Sequence, residues 1–370
     1  MAEAGADARV ALREAIEERA RELGFALVGV ARAAESARRA ELERWIADGR
    51  HGEMRWLAER VADMSDVRRL VRGARSVVSV ADRYHDGHPD RLGADPTAPR
   101  GRIARYARGK DYHDLVRDRL RKLGRFIRER APGCQTRLTG DIHPILEREQ
   151  AARALLGAVG KHTLLIHPAR GSWFLLGEIV TDAEIAPSVE APRAQTLGSE
   201  HLCGACTRCI DACPTKAITP WSVDATRCTA YLTIEHRGGI PEEFFGATGD
   251  WWFGCDICQE VCPHSQPTRA SRRAGSNEAY APRLDSVDLL EVLGWTEEDR
   301  ARLVVSSALK RATLPMMKRN ALLALASAAR RAPAAEREAI RARAAAIAAD
   351  ESEDEFVRAA ARITARVAAS

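Results

Sequence analysis

Along residues 7–23 the apolar side chains Val10, Leu12, Ile16 and Leu23 recur in a helix-like pattern and Gly24 follows, which predicts an N-terminal helix. "FALVGVA" (25–31) reads as a short buried strand, residues 35–48 as a helix ended by Gly49, and "SVVSVA" (76–81) as a second strand. Residues 82–102, rich in Gly, Pro, Asp and His, read as a long loop, and such loops inside a domain are often functional. From Asp111 onward Leu115, Leu120, Leu123 and Ile127 share one face and arginines the other, the mark of an amphipathic helix. "TRLTGD" leads from a strand into a turn. "HPILEREQAARALLG" is expected to be a helix with Pro144 in its first turn, where proline is tolerated. "HTLLIHPARGSWFLLGEIVT" suggests two strands about a Pro–Gly turn.

These elements predict an α+β protein in three parts: an α/β domain over 1–190, a small cysteine-rich module over 191–275 and a helical tail over 276–370. "APSVEAPRAQTLGSE" (186–200) is the expected linker between the first two. In the tail, "LPMMKRNALLALASAARRA" and the Ala-rich segment from Ala335 form amphipathic helical pairs. They fit a HEAT-like repeat or a plain helical hairpin.

The cysteines carry the clearest chemistry. Cys203, Cys206, Cys209 and Cys213, followed by Pro214, form the run C-x2-C-x2-C-x3-C-P of two-cluster bacterial ferredoxins. Cys255, Cys258 and Cys262, followed by Pro263, form its partner, and Cys228 lies between the two. Nine cysteines less the stray Cys134 leave two sets of four. Crossed ligation then predicts one [4Fe–4S] cluster on Cys203, Cys206, Cys209 and Cys262, and a second on Cys213, Cys228, Cys255 and Cys258. Structural zinc needs only paired knuckles and no C-x3-C-P tail, and disulfides need an oxidising compartment. Cys134 reads as a small buried apolar residue.

Charge adds a second theme. The net charge is +5, but residues 101–150 carry 13 Lys/Arg against 7 Asp/Glu, and residues 301–350 carry 10 against 3. Residues 201–300 carry 9 against 15, so basic regions flank an acidic electron-transfer module. Basic patches attract polyanions, although 51 of the 57 basic residues are arginine, which reads equally as compositional bias. No apolar run reaches the ~20 residues that cross a bilayer, and the charged N-terminus lacks an apolar export signal, so a cytoplasmic protein is expected. "GAVGKHT" lacks the first glycine and final Ser/Thr of a phosphate-binding loop, and "DIHPIL" lacks the glycine of D-x-H-x-x-G.

Taken together, "GRIARYARGKDYHDLVRDRL", "GDIHPILEREQAARALLGAVGKHTLLIHPARGSWFLLGEI", the cysteine runs, "CTAYLTIEHRGG", "FGCDICQEVCP" and "LPMMKRNALLALA" resemble the epoxyqueuosine reductases. The likeness spans about residues 100–330. It implies reduction of the epoxide of epoxyqueuosine to the alkene of queuosine at the tRNA wobble position, the final step of queuosine biosynthesis. It also implies two [4Fe–4S] clusters and a base-off cobalamin in an N-terminal domain shared in outline with reductive dehalogenases. The catalytic acid of the family's D-x-x-P-h-L-E stretch falls on Asp141, with Ile142–His143 where many relatives carry smaller residues. Removing the epoxide oxygen as water takes two electrons and two protons; the electrons need a cofactor, the proton an acid whose pKa burial raises.

Tyr112 and His113 are expected at the cofactor, with Arg60, Thr163 and Ser172 as further cobalamin contacts. Against these stand helix-end packing for Tyr112–His113 and a capping role for Asp141. Lys318, Arg319 and Asn320 are candidate tRNA-phosphate contacts, or one solvated helix face. Trp251 and Trp252 are expected to pack near the second cluster. The expected partners are tRNA and an unidentified electron donor, and the expected state is a monomer. A reductive dehalogenase-like enzyme on a small substrate, or an electron-carrier subunit, are the competing readings.

Overall fold

The computed structural model describes residues 2–85, 99–188, 202–266 and 276–370; the expected linker lies largely outside them. Helix α1 (Ala2–Glu22) precedes strand β1 (Leu27–Arg32) and strand β2 (Ser76–Arg83). Strand β3 (Arg100–Ile103) occupies the end of the expected loop. Helix α2 (Tyr112–Arg130) begins where Asp111 accepts the backbone N–H of His113, a 3.0 Å N-cap bond. Strand β4 (Thr136–Thr139), helix α3 (Glu147–Arg153), the two-residue strands β5 (Ala158–Val159) and β6 (Leu165–Ile166), and strand β7 (Phe174–Thr181) complete the first part.

Its sheet has the order β1-β2-β7-β4 with every neighbouring pair antiparallel. The period-two alternation of β2 and β7 divides the side chains between two layers. Val78, Val80 and Ile179 join Ile16, Leu120, Leu123 and Ile127 under α1 and α2. Ala81 meets Ala151 and Ala154 of α3 on the opposite face. Gly29 admits that helix: a Cβ there would stand 2.1 Å from the Ala154 carbonyl oxygen.

Two sequence expectations are corrected here. The helix expected from His143 begins only at Glu147: the Ile145 N–H turns back to the His143 carbonyl at 2.8 Å, and Leu146, at φ −84° and ψ 72°, is the non-helical residue before the first turn. The stretch 141–146 is therefore a loop that lifts Asp141 off the sheet. Strands β6 and β7 also do not form a hairpin together. The eight-residue β7 is taken as a central strand between β2 and β4, and β6 pairs with β5.

Beyond residue 200, strands β8 (Trp251–Phe253) and β9 (Ser286–Asp288) flank β3, parallel and antiparallel respectively. A strand of the N-terminal sequence thus sits inside the C-terminal half. Helices α4 (Leu314–Ala329), α5 (Ala334–Ala349) and α6 (Glu355–Ala369) close the chain, with α6 packed on both α4 and α5. One hydrophobic core joins Ile103, Tyr231, Trp252, Phe253, Leu289 and the buried length of α4. The indole N–H of Trp252 donates to Met317 O at 2.9 Å, so Trp252 serves this core.

Candidate active site

The capped start of α2 brings Tyr112 and His113 to the foot of the 141–146 loop. The Tyr112 hydroxyl donates to Asp141 Oδ2. His113 lies between two carboxylates, its Nδ1 2.7 Å from Asp111 Oδ1 and its Nε2 3.3 Å from Asp141 Oδ2. Lys310 Nζ reaches Asp111 Oδ2 at 2.5 Å and the Asp111 N–H donates to Ser306 O at 2.8 Å, so the C-terminal half braces the outer carboxylate.

Electrostatics follow from these contacts. Burial alone would lower the His113 pKa, but the hydrogen bonds and charges of Asp111 and Asp141 raise it to about 9. Burial pushes Asp141 up, yet the His113 bond and charge and the Tyr112 hydroxyl outweigh it and leave Asp141 below its ordinary value. Burial and the neighbouring carboxylate push the Tyr112 phenol far above its usual range, so it remains a neutral donor. This corrects the expectation that burial makes Asp141 a free carboxylic acid. The site instead holds its proton on a His113–Asp141 pair, which is the form a proton-delivering site needs at neutral pH.

The mouth of the site is open. The Asp141 side chain is 40% exposed and the neighbouring Ile142 is 62% exposed, an apolar group held in solvent beside an acid. His143 Nδ1 and His162 Nε2 are buried and unpartnered. Arg60 is exposed on the same side, close enough to help hold His143 below its ordinary value after burial and Arg137. Thr163, at φ +68°, accepts Arg148 Nη1 on both its carbonyl and hydroxyl oxygens at 3.2 Å. Exposed Ile142, exposed Arg60 and the unpartnered His143 Nδ1 are the apolar and polar groups that this side offers a bound ligand.

Ser172 is elsewhere. It is buried, with its hydroxyl 2.9 Å from both Gln259 Oε1 and Ser265 Oγ. Its hydrogen bonds are spent on joining the first part of the chain to the second cysteine run, which corrects its expected place at cobalamin.

The eight cysteines gather in two neighbourhoods. Burial and the thiols of Cys203, Cys262 and Cys206 push Cys209 up to about 11. Cys258 is raised by burial and by Cys228, Asp256, Cys209 and Cys213, and Cys255 by burial and by Cys258, Cys228 and Asp256. Backbone N–H groups point at the sulfurs: Lys161 N lies 3.4 Å from Cys203 Sγ, and Ala217 N 3.3 Å from Cys213 Sγ. Lys161 Nζ also donates to Gly204 O at 2.7 Å and Cys206 O at 3.0 Å, binding the β5–β6 hairpin to the first run. Among the described residues no three His, Cys, Asp or Glu side chains converge on a point that a single ion could fill.

The chain's similarities agree with this geometry. Residues 202–265 match a family model described as "4Fe-4S double cluster binding domain", and residues 65–141 match "Epoxyqueuosine reductase QueG, DUF1730". The epoxyqueuosine reductase of Synechococcus sp. (strain CC9605) is 38% identical over 326 residues, covering 86% of this chain and 96% of the relative. This chain belongs to the epoxyqueuosine reductase family. The Escherichia coli (strain K12) epoxyqueuosine reductase is 36% identical over 320 residues, covering 86% of this chain and 81% of the relative. The epoxyqueuosine reductase structure from Streptococcus thermophilus superposes with a TM-score of 0.75 at 25% identity, over 95% of this chain and 97% of that one. A crystal structure of epoxyqueuosine reductase with an epoxyqueuosine-modified tRNA-Tyr stem loop shares the fold, with a TM-score of 0.77 at 24% identity over 97% and 99%. Membership removes the dehalogenase-like and electron-carrier readings of the sequence.

Sequence reasoning missed Asp111 as more than a cap, and missed Lys310 entirely. It also misplaced Lys318, Arg319 and Asn320. Arg319 is 0% exposed and donates to Leu232 O at 2.7 Å, His236 O at 2.8 Å and Gly238 O at 2.5 Å. Asn320 donates to Thr233 O at 2.8 Å, and Lys318 pairs with Glu353. Arg319 and Asn320 tie α4 to the segment after Cys228, Lys318 ties it to the turn before α6, and all three are unavailable to phosphates. Arg319→Met is expected to cost about 3–5 kcal/mol by leaving buried carbonyls unpaired. Thermal unfolding should show the loss, while the salt dependence of tRNA binding by the folded variant stays that of the parent; a shallower salt slope would restore the phosphate role.

Proposed function

We propose that this chain reduces the epoxide of epoxyqueuosine in tRNA to the alkene of queuosine, with the proton resting on His113 and handed through Asp141 to the departing oxygen. The observation that carries the reading is the proton held between His113 and Asp141 at an open mouth. The balance is an epoxide plus two electrons and two protons giving an alkene and water. The His113–Asp141 pair supplies one of those protons. Tyr112 orients Asp141 Oδ2, and Asp111, braced by Lys310, keeps the imidazolium in place.

The two cysteine sets would hold [4Fe–4S] clusters by crossed ligation, taking electrons one at a time from an external donor. Cobalamin, bound without its benzimidazole ligand, would supply a low-potential centre able to act on the epoxide carbon. Tyr112, His113 and Asp141 would face it, with Arg60 and Thr163 at its edge. No helix among the described residues is long and apolar enough to cross a membrane. A tRNA substrate supports a cytoplasmic location.

Anaerobic purification with cobalamin supplied during expression tests the assignment. About eight irons and one cobalt per chain are expected, followed by conversion of epoxyqueuosine to queuosine in digested tRNA. Eight irons with no retained cobalt would overturn the cobalamin site. Full loading without queuosine formation would overturn the substrate.

A further inference from the structure

The reaction consumes two protons, and the His113–Asp141 pair accounts for one. Behind Asp141 lies a buried polar row that the pairing of the sheet creates. Gly29 faces Ser79 across β1 and β2, Ser79 faces Glu178 across β2 and β7, and Glu178 faces Thr139 across β7 and β4. Residues directly opposite in antiparallel strands point to the same face. That face is the one α3 covers, and Gln150 descends on it from α3. Ser79, Glu178, Thr139 and Gln150 are each at most 2% exposed.

The row is unsatisfied in a particular way. Glu178 Oε1, Gln150 Oε1 and Ser79 Oγ, from three elements packed together, all lack partners. Glu178 receives only the Thr139 hydroxyl, at 3.4 Å, and has no cationic partner among the described residues. An ionised carboxylate buried without a cation is too costly to persist, so Glu178 carries a proton. A protonated Glu178 also supplies the donor that the row lacks, for Gln150 Oε1 or for a water bridging the three atoms.

The row leads to the catalytic loop. Thr139 is two residues before Asp141. Glu147 opens α3 one turn before Gln150; its side chain is 21% exposed and stands 4.0 Å from Arg148 Nε.

We propose that Glu147 and Glu178 form a proton-holding carboxyl pair that recharges the His113–Asp141 pair during turnover. After Asp141 hands the His113 proton to the substrate oxygen, the Glu147 carboxylic acid passes its own proton through Asp141 to the neutral His113. Glu147 is then refilled from solvent. Glu178 is fully buried without a cation and feels the charge of Glu147, so the pair retains a proton at neutral pH. The charges around it agree. Burial raises Glu147 to about 7, Arg148 pulling it down and Asp141 pushing it up. Burial, Glu147 and Asp141 hold Glu178 far above the ordinary carboxylate range against the Thr139 bond. Glu147 is thus charged with a proton below about pH 7 and loses it as the pH rises.

This inference rests on Asp141 being the acid, so its test has an arm independent of turnover. Infrared spectra of the cluster- and cobalamin-loaded enzyme at pH 7 should contain a neutral carboxylic-acid carbonyl band that Glu178→Gln removes. If the variant leaves that region unchanged, Glu178 is ionised and the proposal fails. In the second arm, Glu178→Gln and Glu147→Gln should lower kcat by about tenfold, less than the ~10²–10⁴ of a direct general acid. Glu147→Gln should also abolish a descending limb of kcat near pH 7 and leave the limb near pH 9 that belongs to His113. Parent-like profiles in both variants would overturn the relay even with the acid band present. If Glu178→Gln does not fold, Glu147→Gln at the open end carries the kinetic arm. A parent without queuosine formation, yet with the acid band, sinks the substrate assignment and leaves the buried acid standing.

Discussion

Asp141→Asn is expected to reduce queuosine formation by about 10²–10⁴-fold, the range of a lost general acid, with KM for tRNA nearly unchanged. The amide keeps the shape of the carboxylate and can still accept from Tyr112, but it cannot take the His113 proton and hand it on. It also removes one of the two carboxylates that make His113 an imidazolium. His113 therefore loses part of the support that raises it to about 9, and its titration moves down. The sign is fixed by that pair. The proton is present below about pH 9 and is lost as the pH rises through it, so kcat of the parent should fall on an alkaline limb there. His113→Gln should remove that limb and lower kcat while leaving iron content at the parent level. An Asp141→Asn enzyme that turns over at the parental rate would put proton delivery on His113 directly.

What the chain disclosed in advance follows from which interactions are local. The cysteine runs were legible because ligand spacing is a short-range property, and helix α2 because its apolar face and its Asp111 cap lie within one segment. The late start of α3 was less legible: Pro144 is allowed in a first turn, and no local pattern announces the turn from Ile145 back to His143 that delays the helix to Glu147. The brace of Lys310 on Asp111 joins residues far apart in sequence, and no local pattern announces it. The same holds for Arg319. "KRNA" looks like an exposed basic turn of helix until Leu232, His236 and Gly238 present their carbonyls to it. The sign of the Asp141 shift was also hidden. Burial argues one way and the His113 charge the other, and only their distance decides which wins. Glu178 reads as one polar residue in an apolar strand, and its meaning appears when register sets it between Ser79 and Thr139.

The crossed arrangement of the clusters makes the most discriminating prediction of all. Cys203→Ala and Cys262→Ala stand 59 positions apart in sequence, yet each should remove the same cluster. Each variant should keep about four of the eight irons and show the same residual spectrum on reduction. Cys213→Ala and Cys255→Ala should also keep about four irons, but with the complementary spectrum. Placement supports this grouping. Cys209 stands among Cys203, Cys262 and Cys206, and Cys228 is felt by Cys213, Cys255 and Cys258. The helical turns Arg208–Asp211 and Ile257–Glu260 pack against each other, which would let each run end on the other's cluster. All four variants should lose turnover, because electrons that arrive singly must pass both cubes. Electron paramagnetic resonance of the reduced proteins checks the pairing. If Cys213→Ala gives the spectrum of Cys203→Ala, each run holds its own cluster, and the prolines after Cys213 and Cys262 do not redirect the final ligand.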